Sequence, residues 1–243
     1  MSAPLVVRAT AKHTATVIFV HGLGDTGHGW KPIADMFRKD EGLQHIKWIL
    51  PHAPVKPVTA NMGMSMPTWR VNPFDIYSFG FDCAEDEKGM LDTRSRLEGL
   101  IKAEVEEGIS QDRIVLGGFS QGGAMTLLTG LTIPAKLGGL AILSGWLPLR
   151  TKFKEMASDN VKDIPMFWGH GKNDPLVTYP KMGKASADFL VDELGVELVG
   201  AGQTTGVPKG LEFHGYEGVV HSASEEELED LRSWLKRTVP KQD

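Results

Sequence analysis

Residues 113–123 read RIVLGGFSQGG, an apolar run that passes through Gly118-Phe119-Ser120-Gln121-Gly122 into an apolar helical stretch from Ala124 to Leu131. A serine with glycines two residues either side, between a strand and a helix, is the G-x-S-x-G nucleophile elbow. The turn is too tight for side chains at its shoulders, so both glycines follow from the geometry. The helix that starts beneath the serine favours negative charge developing beside it. This junction demands a parallel α/β sheet and offers an exposed hydroxyl at its C-terminal edge. The bland alternative is a glycine-rich turn with an incidental serine.

The rest of the chain carries the same alternation. Short apolar runs at Thr16–Val20, Ile46–Leu50, Ile114–Gly117, Leu140–Leu143, Pro165–Trp168 and Glu212–Tyr216 suit the buried strands of a parallel sheet. Between them, Leu97, Leu100, Ile101 and Val105 recur at helical spacing, as do Met182, Ala185, Phe189 and Leu190, and then Leu228, Leu231 and Leu235. The order βαβα predicts one α/β domain over 1–243, a mostly parallel twisted sheet with helices on both faces. Two stretches stand apart. Residues 51–88 hold five prolines, Met62, Met64, Met66 and Trp69, and read as a long loop near the active site. GAGQTTGVPKG at 200–210 reads as a flexible surface insert, dispensable for chemistry.

A serine hydroxyl needs a base, and in this type of fold the chain order is serine, acid, histidine. Three histidines follow Ser120: His170, His214 and His221. His170 precedes the expected acid. His214 lies inside a strand-like run, where a histidine more often packs, and is the rival. His221 lies between the last strand and the helix-start signal Ser222-Ala223-Ser224-Glu225, where a base can reach the serine. For the acid, Pro165–Trp168 runs into Gly169-His170-Gly171-Lys172-Asn173-Asp174-Pro175, a loop at a strand's C-terminal end that presents Asp174. A turn-capping role before Pro175 is the competing reading.

Acyl transfer passes through an anion that needs fixed N–H donors. The amide after the nucleophile, Gln121, is one. The amide of Leu23, in His21-Gly22-Leu23-Gly24-Asp25-Thr26-Gly27 after the first long strand, is the expected second. That loop also matches the dinucleotide fingerprint G-x-G-x-x-G, but the next strand, Ile46–Leu50, ends in Pro51-His52-Ala53-Pro54 with no acid to hold a ribose. No HExxH, cysteine-pair or P-loop pattern occurs, so neither a cofactor nor a metal is expected. The net charge of −5 argues against a nucleic-acid partner. Cys83 is the one cysteine, so no intrachain disulfide can form, and no apolar run reaches the length of a bilayer span.

With the elbow, HGLGDTGHGW at 21–30, LSGWLPLR at 143–150 and HGKNDPLV at 170–177 in view, the chain resembles the acyl-protein thioesterases, in the phospholipase/carboxylesterase group of α/β-hydrolases. The resemblance covers essentially the whole chain. It implies the α/β-hydrolase fold, a Ser120, Asp174, His221 triad, and Leu23 and Gln121 as oxyanion amides. It further implies hydrolysis of S-palmitoyl thioesters on cytoplasmic proteins, with lysophospholipids and simple oxygen esters as lesser or alternative substrates. A cytoplasmic location, with the nucleus as a second one and at most peripheral membrane contact, goes with that reading. Residue 2 is Ser where family members carry an acylated cysteine, and the insert at 200–210 and Arg70–Pro73 are longer than usual. A long acyl chain needs an apolar groove, for which Met66, Trp69, Trp146 and Leu176 are the expected walls, with ordinary core packing as the competing reading.

Overall fold

The structure is a computed structural model that describes residues 3–58, 62–69, 85–200 and 206–242. Along them run strands β1 (Leu5–Val7), β2 (Ala15–Val20), β3 (Ile46–Leu50), β4 (Val55–Pro57), β5 (Ser65–Pro67), β6 (Ile114–Phe119), β7 (Gly139–Leu143), β8 (Met166–Gly171), β9 (Leu198–Val199) and β10 (Leu211–Tyr216). The helices are α1 (Gly27–Phe37), α2 (Glu87–Glu106), α3 (Gln121–Thr132), α4 (Arg150–Met156), α5 (Ala185–Asp192) and α6 (Glu225–Thr238). Among the described residues eight strands form one sheet in the order β1-β3-β2-β6-β7-β8-β10-β9. Every neighbouring pair is parallel except the edge pair β1–β3.

Strand periodicity divides the core into two layers. Ile18, Val20, Ile114, Leu116, Leu140, Ile142, Met166 and Trp168 meet α2, α3 and α5 on one face. Val17, Phe19, Val115, Ala141, Leu143 and Phe167 meet α1 and α6 on the other, around Trp48 and Trp234. Each strand alternates its side chains between layers, which is why these runs are apolar along most of their length. Helix α3 is buried at every residue; its Thr126 and Thr132 hydroxyls are tolerated there because each donates to the carbonyl four residues back, of Gly122 and Leu128.

The structure departs from the sequence expectation in three places. Residues Gly169–Gly171, read as loop, continue β8, because β10 supplies backbone partners as far as Gly171↔Tyr216. The helix expected from Met182 begins as a wider π-type turn over Tyr179–Lys184. The 51–88 stretch contains the β4–β5 hairpin and the start of α2, with the exposed Met62 and Met64 beyond its strands. Residues 201–205 of the insert and Arg70–Pro73 lie outside the described residues. The insert's end is firmly held: Leu211 donates its N–H to Glu197 O (2.8 Å) and Met166 donates to Gly210 O (2.7 Å). No helix among the described residues is long and apolar enough to cross a membrane.

At the N-terminal ends of β2 and β3, Thr16 and Lys47 lie opposite each other. The buried Glu104 of α2 accepts from Thr16 Oγ1 (2.6 Å) and pairs with Lys47 Nζ (2.7 Å). Lys47 also reaches Glu107 (2.7 Å). This network ties α2 to the end of the sheet opposite Ser120. Removing one partner of a buried pair strands the other's charge. Lys47→Met is therefore expected to cost about 3 kcal/mol in urea unfolding, Lys47→Met/Glu104→Leu to recover most of it, and turnover at 25 °C to stay at wild-type level in both.

Candidate active site

Ser120 sits where β6 hands over to α3, with φ +54° and ψ −119°, a conformation that costs a non-glycine residue strain. Its N–H is tied to Leu143 O (2.9 Å), and its own carbonyl accepts from Ala124 (3.0 Å), so the strained residue is held from both sides. A Cβ on Gly122 would overlap Val20 O, and one on Gly118 would lie 2.8 Å from the same atom. The elbow thus presses directly on the neighbouring strand β2.

Two further loops converge on Ser120. His221 Nε2 lies 2.9 Å from Ser120 Oγ, and His221 Nδ1 lies 2.6 Å from Asp174 Oδ2. Asp174 Oδ1 accepts from the N–H groups of Leu176 (2.8 Å) and Val177 (2.9 Å), so both carboxylate oxygens are engaged. The carboxylate is fully buried, and only part of the His221 ring reaches solvent. Phe119 packs on the His221 ring, centroids 4.8 Å apart. Because the Nδ1 proton goes to a carboxylate, Nε2 is left to accept from the serine hydroxyl.

The two loops are stapled through their backbones. Lys172 N–H donates to Tyr216 O (2.9 Å), Asn173 N–H to Val219 O (3.0 Å), and Gly218 N–H to Asn173 Oδ1 (2.9 Å). Gly171 makes this approach possible: a Cβ there would overlap Val219 O and stand 2.7 Å from Val220 O. Behind them, burial pushes the Glu227 carboxyl up to about 8, so it is protonated at neutrality and adds no second anion beside Asp174.

The loop between β2 and α1 forms the other wall. Leu23 lines the cleft together with Gly22, Asp25, Phe119, Ser120, Leu176 and His221. The buried His21 fixes this loop. Its Nε2 accepts from Ala53 N–H (3.1 Å), so its Nδ1 carries the proton and donates to Gly22 O (2.7 Å). Burial lowers its pKa and keeps the ring neutral. Gly24 N–H donates to Pro67 O (2.9 Å), which joins the loop to the β4–β5 hairpin. Gln121 lies at the first position of α3, where the backbone N–H has no intrahelical acceptor. Its buried side-chain oxygen accepts from Trp69 N–H (2.8 Å) and Thr68 Oγ1 (3.2 Å).

Of the four expected groove walls, Leu176 lines the cleft. Met66 stands behind it, with its sulfur near Gly24. Trp69 and Trp146 are core residues, 2% and 5% exposed, and neither is on the wall at Ser120. Trp69 turns inward because its indole N–H bonds His21 O (2.8 Å). Asp25 and Phe119 also line the cleft, and their positions beside Leu23 and Ser120 in the sequence are the signal that could have found them. His214, the rival base, packs between Phe167 and Tyr216, with Asp230 3.7 Å and Glu212 3.8 Å away. No group of three or more His, Cys, Asp or Glu among the described residues could hold a metal ion.

The close fit at Gly171 yields a test. Gly171→Ala is expected to push 219–220 outward and shift His221 from Ser120. Misplacement of about 1 Å costs on the order of 100-fold, so labelling by a fluorophosphonate probe should slow by at least tenfold, with circular dichroism unchanged.

The family model described as Phospholipase/Carboxylesterase matches residues 1–239. The chain is 52% identical over 226 residues to a protein of Cryptococcus neoformans var. neoformans serotype D named acyl-protein thioesterase 1, covering 92% of each. It is 42% identical over 245 residues to one of the same name from Mycosarcoma maydis, covering 97% of this chain and 95% of that one. Among solved structures, Arabidopsis thaliana SOBER1 superposes with a TM-score of 0.81 at 34% identity, covering 93% of this chain and 99% of that one. Zea mays acyl-protein thioesterase 2 does so with a TM-score of 0.79 at 28% identity, covering 98% and 100%. Sheet order, elbow and sequence agree: the chain belongs to the phospholipase/carboxylesterase family of α/β-hydrolases and is a serine hydrolase.

Proposed function

We propose that this enzyme removes S-linked long-chain acyl groups, palmitoyl above all, from cysteines of cytoplasmic proteins. The observation that carries the reading is the row Ser120 Oγ–His221 Nε2 (2.9 Å) and His221 Nδ1–Asp174 Oδ2 (2.6 Å), opening into a cleft walled by Leu23, Phe119 and Leu176. Relatives named acyl-protein thioesterase support the choice of thioester. The proposed site of action follows from the substrates and is the cytoplasm, with the nucleus open to the same chemistry.

In this reading Ser120 Oγ attacks the thioester carbonyl while His221 Nε2 takes its proton. Asp174 holds the imidazole in the required tautomer and stabilises the imidazolium. The N–H groups of Gln121 and Leu23 receive the tetrahedral oxyanion. Its collapse breaks the C–S bond, and the cysteine sulfur leaves with the proton from His221. Water, deprotonated by His221, then attacks the acyl-serine, and the fatty acid departs as Ser120 regains its proton. A thiol with a pKa near ~8.5 leaves readily, and the same groups can cleave the oxygen ester of a lysophospholipid.

Ser120→Ala and His221→Ala are each expected to lower kcat on a soluble thioester by at least a thousandfold, because the groups act as a unit. Asp174→Asn should lower it by roughly 10⁴, while His214→Ala stays within about fivefold. Retention of a hundredth of wild-type turnover by a folded Ser120→Ala protein would refute the assignment.

The apolar cleft also predicts a chain-length effect. Half of the full ~0.8 kcal/mol per buried methylene corresponds to about a doubling of kcat/KM for each added carbon. A series from acetyl to decanoyl thioesters, each below its micelle concentration, should show that climb. Leu176→Asn should flatten it and leave the acetyl substrate within about twofold. A flat wild-type series would favour a short-chain carboxylesterase.

A further inference from the structure

His170 is buried at the end of β8 and takes no part in the row that Ser120, His221 and Asp174 form. Its Nε2 lies 2.7 Å from Val177 O. A carbonyl oxygen only accepts, so Nε2 carries the proton. Nδ1 is buried with no hydrogen-bond partner among the described residues. It faces Gly183 of the π-type turn, where any Cβ would overlap the imidazole. A second proton would find no acceptor there. Burial, the largest influence, holds the pKa below the ordinary histidine value with His221 adding in the same direction, and the bond to Val177 O and the nearby Asp174 only partly offset it. The ring is therefore a neutral, single-tautomer donor, with the Tyr179 ring nearly perpendicular to it, centroids 5.8 Å apart.

What it donates to is the far end of the acid turn. Asp174 Oδ1 grips the N–H groups of Leu176 and Val177, and His170 grips the carbonyl of that same Val177. Val177 is thus held through both its N–H and its carbonyl. His170 Nε2 also lies 3.7 Å from Asp174 Oδ2, the oxygen that holds His221. A cation here would cancel part of the carboxylate's charge; a neutral ring with its N–H on that side does not.

We infer that His170 is a positioning residue for Asp174: one donated hydrogen bond fixes the turn that presents the carboxylate, and the ring contributes no charge of its own. The inference rests on the proposed roles of Ser120, His221 and Asp174.

The test is kinetic, on an octanoyl thioester below its micelle concentration, with folding followed by circular dichroism and thermal melting. His170→Leu keeps an apolar volume but removes the donor; kcat should fall about 30-fold with KM within twofold. His170→Gln, whose side-chain N–H can reach Val177 O, should recover to within about fivefold of wild type. Gly183→Ala, which displaces the ring without altering its chemistry, should lower kcat about tenfold at unchanged KM. If His170→Leu does not fold, the other two decide: His170→Gln must stay within about fivefold of wild type and Gly183→Ala must fall about tenfold. The inference is overturned by a folded His170→Leu with kcat within threefold of wild type, or by His170→Gln as slow as His170→Leu. It is equally overturned by Gly183→Ala at wild-type rate or by misfolding of all three. Wild type and Ser120→Ala run beside them: an inactive wild type, or an active Ser120→Ala, would defeat the reading of the site itself and not the role of His170.

Discussion

The strained backbone of Ser120 sets the terms for the rest of the molecule. A residue at φ +54° between a strand and a helix is stable only if its surroundings leave it no other conformation. Here Leu143 O holds the residue's N–H, Ala124 draws its carbonyl into α3, and Val20 O stands where larger shoulders would collide. Those constraints come from three adjacent parallel strands, β2, β6 and β7. In exchange the hydroxyl projects from the sheet's C-terminal edge, above the unsatisfied first amides of α3. Folding the sheet and exposing the nucleophile are one event.

Parallel topology then delivers the other groups to the same place. Strands β2, β8 and β10 all end on the side where β6 ends, so the loops that follow them emerge together. Their positions are set chiefly by backbone hydrogen bonds. Asn173 and Gly218 staple the acid loop to the histidine loop, and Pro67 O holds Gly24 beside the elbow. Buried neutral histidines recur as props: His21 behind the oxyanion loop and His170 behind the acid turn each donate one hydrogen bond to a carbonyl. A neutral imidazole can organise a loop at the centre of a charged site without changing its net charge.

Ser120, Asp174 and His221, which the structure brings into one hydrogen-bonded row, were legible because each lies in a local pattern with a physical cause. Ser120 is flanked by glycines at a strand–helix switch, Asp174 follows a strand end, and His221 precedes a capped helix whose capping box is observed at Ser224 and Glu227. The six long strands were legible because a strand buried on both faces is apolar along most of its length. The edge strand β1 and the β9 pairing were not. Leu5–Val7 and Leu198–Val199 are too short to carry a periodic signal, and they become strands only because β3 and β10 supply partners. Nor did composition reveal that β8 continues through Gly169, His170 and Gly171.

The tryptophans show where local reading ends. Trp69 and Trp146 have the size and apolarity of groove walls, and equally of core residues. Whether an indole faces a ligand or the interior depends on what its N–H can reach. For Trp69 that is His21 O, 48 positions away in sequence. The sequence by itself determined the fold class and the elbow and pointed to Ser120, Asp174 and His221 as neighbours, because those follow from periodicity, chain order and turn sterics within a few residues. Only the tertiary structure decided which residues wall the cleft, which buried histidines prop its loops and how closely the acid and histidine loops approach. Each of those rests on contacts between segments brought together by sheet order, a property no local window contains.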